Sequence, residues 1–249
     1  TMRLCFVACL LLTLTGCISV SDNQQTEFKP NPVDMSESRI ALGLGYLDQG
    51  NMPRARENLE QALKHAPDYY RAQLSMAYYY EAVGEAESAA AQYRQALKQH
   101  PHNGNVLNNY GTFLCKHGKY NLADIYFNKA IHQPDYYQVA SSYENAAFCA
   151  LKSGDKAQAK NYFQQAVDKV IANQPNYRTT FDLVNYSEPL QLIHETLHVP
   201  VGYSDIRLKT DSEQQAIVRE FIEAENYSGV DVTKLPLVRF HIHHLSDCT

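Results

Sequence analysis

Small and bulky apolar residues return along this chain at a fixed interval, separated by polar stretches. Glycines stand at Gly50, Gly84, Gly118 and Gly154, spaced 34, 34 and 36 residues apart. Five residues after each comes an alanine: Ala55, Ala89, Ala123, Ala159. A bulky apolar residue follows four later (Leu59, Tyr93, Phe127, Phe163), then an alanine three further on (Ala62, Ala96, Ala130, Ala166). Seven before each glycine the residue is small again: Gly43, Ala77, Gly111, Ala147. Prolines at Pro67, Pro101 and Pro134 close the units. The pattern predicts pairs of antiparallel helices joined at glycine, which accepts turn geometry that other residues resist. Small residues let the two helices approach, and the bulky ones fill the hollows between them.

The period and its small/aromatic code resemble the tetratricopeptide repeat. Residues 36–172 then form an all-α solenoid of four helical hairpins, with the extra two residues lengthening the turn between repeats three and four. The code ends there. A fifth repeat would place glycine near 188 and alanine near 193, where the chain has Glu188 and Ile193. Residues 173–249 are predicted to be mixed α/β or disordered, with helices near 188–198 and 211–225. A strand is expected at Leu237–Ile242, with Val238, Phe240 and Ile242 alternating onto one face. This tail is either a divergent domain or a replacement for the last repeats.

The N-terminus reads as a processing signal. Arg3 precedes an apolar run from Leu4 to Leu14 that is short for a membrane span and suits a secretory signal. It ends in Leu14-Thr15-Gly16-Cys17, which resembles the bacterial lipobox. Residues 1–16 are thus expected to be a lipoprotein signal peptide and Cys17 the lipidation site. Ile18 after it, in place of Asp, resembles an outer-membrane sorting signal. Residues 17–35 are polar, proline-bearing and aperiodic: a lipidated tether of roughly 20–25 Å span.

Of six cysteines, Cys115, Cys149 and Cys248 would remain thiols in an oxidising compartment. Cys115 and Cys149 are one period apart, late in the first helices of adjacent repeats. They should be neighbours, as a disulfide or as two buried thiols.

First helices line the concave face of such a solenoid. Counting within the repeat assigns Ile40, Leu44, Leu47, Leu74 and Tyr78 to an apolar N-terminal stretch of groove. Asn108, Thr112, Lys116, Glu144 and Phe148 follow, and Asn109 and Asn145 share the repeat position where, the resemblance implies, asparagine holds a ligand's backbone as in peptide-binding members. An apolar groove suits the apolar face of a partner helix. The net charge of −5 gives no basic footprint for nucleic acid.

The segments "NGNVLNNYGTFLCKHGKY" and "SSYENAAFCALKSGD", with the lipobox and first two repeats, resemble the type IV pilus biogenesis and stability lipoproteins, the pilotins of the pilus secretin. The resemblance covers about residues 2–170. It implies an outer-membrane lipoprotein facing the periplasm, without enzyme activity or cofactor, that helps the secretin subunit localise and assemble. It also implies a Cys115–Cys149 disulfide and partner binding through the first repeats.

A second chemistry competes. His194-Glu195-Thr196-Leu197-His198 fits H-E-x-x-H, which on a helix would aim two histidines at zinc with Glu195 as general base. Glu220, His241 or His243 would have to supply a third ligand. Pro200 follows closely and no companion motif is present, so the match is read as coincidental, on a surface helix. The alternatives to the pilotin reading are a periplasmic zinc hydrolase with a repeat module for recognition, or an envelope adaptor with another partner.

Overall fold

A computed structural model describes residues 31–185 and 187–245. Eight helices come first: α1 (Pro32–Asp48), α2 (Met52–His65), α3 (Tyr70–Ala82), α4 (Ala86–Gln99), α5 (Gly104–Lys116), α6 (Tyr120–Ile131), α7 (Val139–Ser153) and α8 (Lys156–Asn173). They pair as four hairpins. A 3-10 turn (Pro175–Arg178) leads to β1 (Thr179–Asp182), β2 (Leu190–Ile193), β3 (Val201–Asp205), α9 (Asp211–Tyr227) and β4 (Phe240–His244). Helix α1 begins at Pro32, so the last residues of the stretch read as tether are helical. Asn31 caps it, its Oδ1 accepting from the Val33 N–H at 2.9 Å. The predicted signal peptide, Cys17 and Cys248 lie outside the described residues.

The same turn closes every hairpin. Gly50, Gly84, Gly118 and Gly154 take φ of 73°, 80°, 70° and 88°. The next residue's N–H returns to the carbonyl five positions back: Asn51 to Tyr46, Glu85 to Tyr80, Lys119 to Leu114 and Asp155 to Ala150, at 2.8–2.9 Å. This is the Schellman arrangement, which needs a left-handed residue and so selects glycine. Where the two helices of a hairpin cross, contact is close. A Cβ at Gly111 would lie 2.8 Å from the Phe127 ring. The alanines one turn either side of the crossing, Ala55, Ala62, Ala89, Ala96, Ala123 and Ala130, are fully buried.

The longer turn before repeat four is held by Tyr136. Its ring packs on Gly104, and its hydroxyl meets Ser142 Oγ at 2.9 Å. Ser142 Oγ donates to Asn108 Oδ1 at 2.8 Å, and Asn145 Nδ2 donates to the same oxygen at 3.1 Å. Repeats three and four are further joined by a disulfide between Cys115 and Cys149, with Cα atoms 5.8 Å apart.

The tail is mixed α/β. β1 and β2 form an antiparallel pair in which Thr180 faces Leu192. β3 and β4 form a parallel pair, Val201 opposite Phe240 and Tyr203 opposite Ile242. Those four side chains share one face and pack on the solenoid's core cluster. The opposite face carries Ser204, His241 and His243 beneath Phe221 of α9. A parallel pair requires cover on both faces, and here one cover is the last repeat and the other α9. The helix expected over 211–225 is present, started by a Thr210/Glu213 capping box. The strand expected at 237–242 begins later, at Phe240, and Phe240 and Ile242 do share a face. The helix expected near 188–198 is replaced by β2 and an extended segment. Pro189 and Pro200 flank it, and Leu190–Ile193 pairs with β1 instead of coiling.

Candidate protein-binding groove

Helices α1, α3 and α5 line one side of the stack, and a groove of about 460 Å³ runs across them. Leu44, Leu74 and Tyr78 line it, as expected from the period, and so does Asn109. Tyr78 is exposed, while Leu44 and Leu74 are half-buried. Asn109 Nδ2 donates to the Asn105 carbonyl at 2.8 Å.

The other expected groove residues, Ile40, Leu47, Asn108, Thr112, Lys116, Glu144, Asn145 and Phe148, do not line it. Ile40 and Leu47 are 2% and 7% exposed. Ile40 packs on Ala62 and Ala72, and Leu47 on Ala55, Leu59 and Met76. They share the α1 stripe with Gly43, and that stripe is pressed against α2 and α3. Both are core residues, closed to a partner; Leu44 stands on the adjacent stripe. Asn145 is engaged with Asn108 between repeats, and Asn108 itself is buried.

Tyr70, Arg71, Ser75, Asn105 and Gln138 also line the groove and were missed. The period held the signal. Leu44 and Tyr78, Arg71 and Asn105, and Ser75 and Asn109 are pairs 34 residues apart, so one correct lining residue predicts its counterpart in the next repeat. The floor is aliphatic, and the rim offers phenol, amide and hydroxyl groups. Arg71 is pinned to Glu37 at 3.0 Å. Glu37 also accepts from the Tyr69 hydroxyl; burial first, then this bond, pushes the phenol up to about 12. At the next rung Glu81 accepts from the Tyr93 hydroxyl at 2.6 Å and from Lys116 Nζ at 2.9 Å. Burial and Glu81 together hold the Tyr93 phenol protonated well beyond its ordinary range. The Glu37 pairs and the Lys116–Glu81 pair join neighbouring repeats, and the Tyr93–Glu81 bond joins the two helices of repeat two.

The His194–His198 pair does not take the helical H-E-x-x-H arrangement. The segment is extended, so the two rings do not share a helix face. His194 Nε2 meets Thr180 Oγ1 at 2.8 Å, and His198 Nδ1 meets Asp168 Oδ1 at 3.2 Å. The backbone here is a docking strip for Arg178, whose guanidinium donates to the His194 and Glu195 carbonyls and to Ile171 and Ala172 at the end of α8. No group of three or more His, Cys, Asp or Glu suited to a metal occurs among the described residues.

His241 and His243 stack with ring centroids 4.4 Å apart, and both reach Ser204 Oγ, at 3.2 and 2.8 Å. His243 Nε2 is buried without a partner. Burial first, and His241 second, lower its pKa below the ordinary 6.5. The unfolded chain therefore binds this proton more readily than the folded one. The stability is present above pH 6.5 and is lost as pH falls from there through the depressed folded value. Amide exchange in β3 and β4, corrected for intrinsic rates, is expected to be faster at pH 5 than at pH 7.5, with the difference reduced in His243→Gln. Equal protection at both pH values in the parent chain would refute this.

Four stacked hairpins with a partly apolar groove define a tetratricopeptide-repeat scaffold, a fold class that serves protein–protein recognition. Tetratricopeptide-repeat families match residues 40–103 and 92–125. The chain is 32% identical over 176 residues to the type IV pilus assembly protein PilF of Pseudomonas aeruginosa, covering 71% of this chain and 69% of that protein. It is 34% identical over 156 residues to an uncharacterized protein of Haemophilus influenzae, covering 63% and 82%. The chain belongs to the PilF/PilW-type family of tetratricopeptide-repeat proteins of type IV pilus biogenesis.

Two solved structures agree. That of P. aeruginosa PilF superposes with a TM-score of 0.52 at 31% identity, covering 59% of this chain and 66% of the other. PilW, a widely conserved type IV pilus biogenesis factor, gives 0.50 at 28%, covering 57% and 64%. The chain thus spans about two thirds of the length of these solved relatives. A different family, the Condensation domain, matches residues 135–248. A linear gramicidin synthase of Brevibacillus parabrevis is 28% identical over 85 residues, which is 34% of this chain and 1% of that protein.

Proposed function

We propose that this chain is an outer-membrane lipoprotein, anchored through Cys17 and facing the periplasm, that binds the type IV pilus secretin subunit and promotes its localisation and multimer assembly. The observation that carries this reading is the groove over repeats one to three, in a chain of a pilus-biogenesis family. Leu44 and Leu74 give it an aliphatic floor, and Tyr78, Asn105 and Asn109 a hydrogen-bonding rim. A groove that sets two leucines among polar side chains suits an amphipathic helix, its apolar residues on the leucines and its polar edge on the rim. The Condensation match is read as a property of the tail, because repeat four keeps the small/aromatic code and the Schellman glycine of its neighbours. The test is complementation: cells lacking the chain should lose heat-resistant secretin multimers and regain them when the full chain is restored. Normal multimers in its absence would remove the assignment.

The disulfide sets a stability prediction. It closes a loop of 34 residues between the first helices of repeats three and four. Replacing both cysteines with serine is expected to lower stability by about 2–4 kcal/mol, leaving helix content unchanged. Urea unfolding followed by circular dichroism measures this. Peptide mapping without reductant that recovers both thiols alkylated would show that the bond is absent.

A further inference from the structure

The last repeat of a solenoid has a face that its successor would cover, and an uncovered face there costs solubility and order. In the first three repeats the final alanine of the code, Ala62, Ala96 and Ala130, is fully buried. Ala166 in repeat four is only half-buried, yet the cluster around Ala159, Tyr162 and Phe163 beside it is closed. What closes it is the tail. Val199 and Val201 are 1% and 4% exposed, and Val201 belongs to that cluster, with Tyr203, Phe240 and Ile242 packed against it.

The polar contacts show a fitted seat. The segment ending in β3 runs antiparallel to α8 and meets it at three levels. Lys156 Nζ pairs with Asp205 Oδ2 at 2.6 Å, and Asp168 Oδ1 meets His198 Nδ1 at 3.2 Å. Between them the Gln164 amide acts as a piece of neighbouring strand. Its Nε2 donates to the Val199 carbonyl, and its Oε1 accepts from the Val201 N–H, both at 2.9 Å. From Lys156 to Asp168 the helix rises about 18 Å. The extended run from His198 to Asp205 spans about 23 Å, so the two stay in step along the contact.

We propose that the parallel β3–β4 pair is the terminal cap of the repeat array, taking the place of a fifth repeat and holding α8 in position. The dependence is mutual. A two-stranded parallel pair cannot stand alone, and α8 is the cover for one of its faces.

Hydrogen–deuterium exchange on the full chain tests this. Gln164→Ala removes both strand-like bonds, and Val201→Asp puts a charge in the seat. Val184→Asp, in the exposed β1–β2 connection, is the control. Exchange in α8 should accelerate by about tenfold or more in the first two variants, with α1–α4 and the control unchanged. The Cys115–Cys149 bond keeps α7 tethered in all three. The proposal fails if α8 stays within about twofold of the parent in both variants. It also fails if α1–α4 accelerate equally, because the loss would then be of general stability rather than of a cap.

Discussion

Leu44→Asp is expected to leave the protein folded and membrane-bound but unable to assemble secretin multimers. Leu44 stands on the groove stripe of α1, half-buried against the Ile40, Ala62 and Ala72 cluster and open to the groove. The seam that holds the hairpin together runs through Ile40, Gly43 and Leu47 instead, so a carboxylate at 44 can turn toward water without splitting the helices. In a bound complex that carboxylate would be buried against an apolar partner face. Loss of one buried anchor costs at least about 2 kcal/mol, near thirtyfold in affinity. Ile40→Asp is the instructive contrast, since the same charge placed in the core should unfold repeat one. A folded Leu44→Asp protein that supports heat-resistant multimers at wild-type levels would move the docking site off this groove.

Cys17→Ser should release the protein from the outer membrane altogether. Among the described residues no helix is long and apolar enough to cross a membrane. On the proposed reading, attachment rests on the acyl chains at the lipobox cysteine, and two or more such chains anchor stably where one does not. The serine variant is expected to keep the helices of residues 32–173. Fractionation after a high-salt wash is the measurement. Retention of the variant with outer membrane would refute lipid anchoring at Cys17.

Much of the repeat region was legible because its constraints are local and recur. A left-handed turn needs glycine, a close crossing needs alanine or glycine, and a hollow needs an aromatic or leucine. Each need returns every 34 residues, so the register of four hairpins can be read without knowing how they stack. Neighbouring first helices also place Cys115 beside Cys149 by the same arithmetic. What the period cannot resolve is which of two adjacent stripes on a first helix faces the groove. Ile40 and Leu47 are as apolar as Leu44, and a turn of less than half the helix circumference separates core from groove. Only the packing of α1 against both α2 and α3 makes that choice.

In the tail the local signals were weaker than the long-range ones. His194–His198 has a helical spacing of histidines, but strand pairing of Leu190–Ile193 with β1 draws the segment out. Arg178, sixteen residues before His194, then claims its carbonyls. The alternation of Phe240 and Ile242 did announce a strand, because a strand with one apolar face shows it every second residue. That this face would close the end of the solenoid was invisible. It depends on the alternating Val199, Val201 and Tyr203 meeting Gln164 of α8, and nothing in either stretch points to the other. By itself the sequence determined the hairpins, their turns and the cysteine pair, since those follow from short-range sterics repeated four times. The tertiary structure decided which apolar stripe became groove and what seals the last repeat, since both depend on surfaces meeting that the chain brings together only when folded.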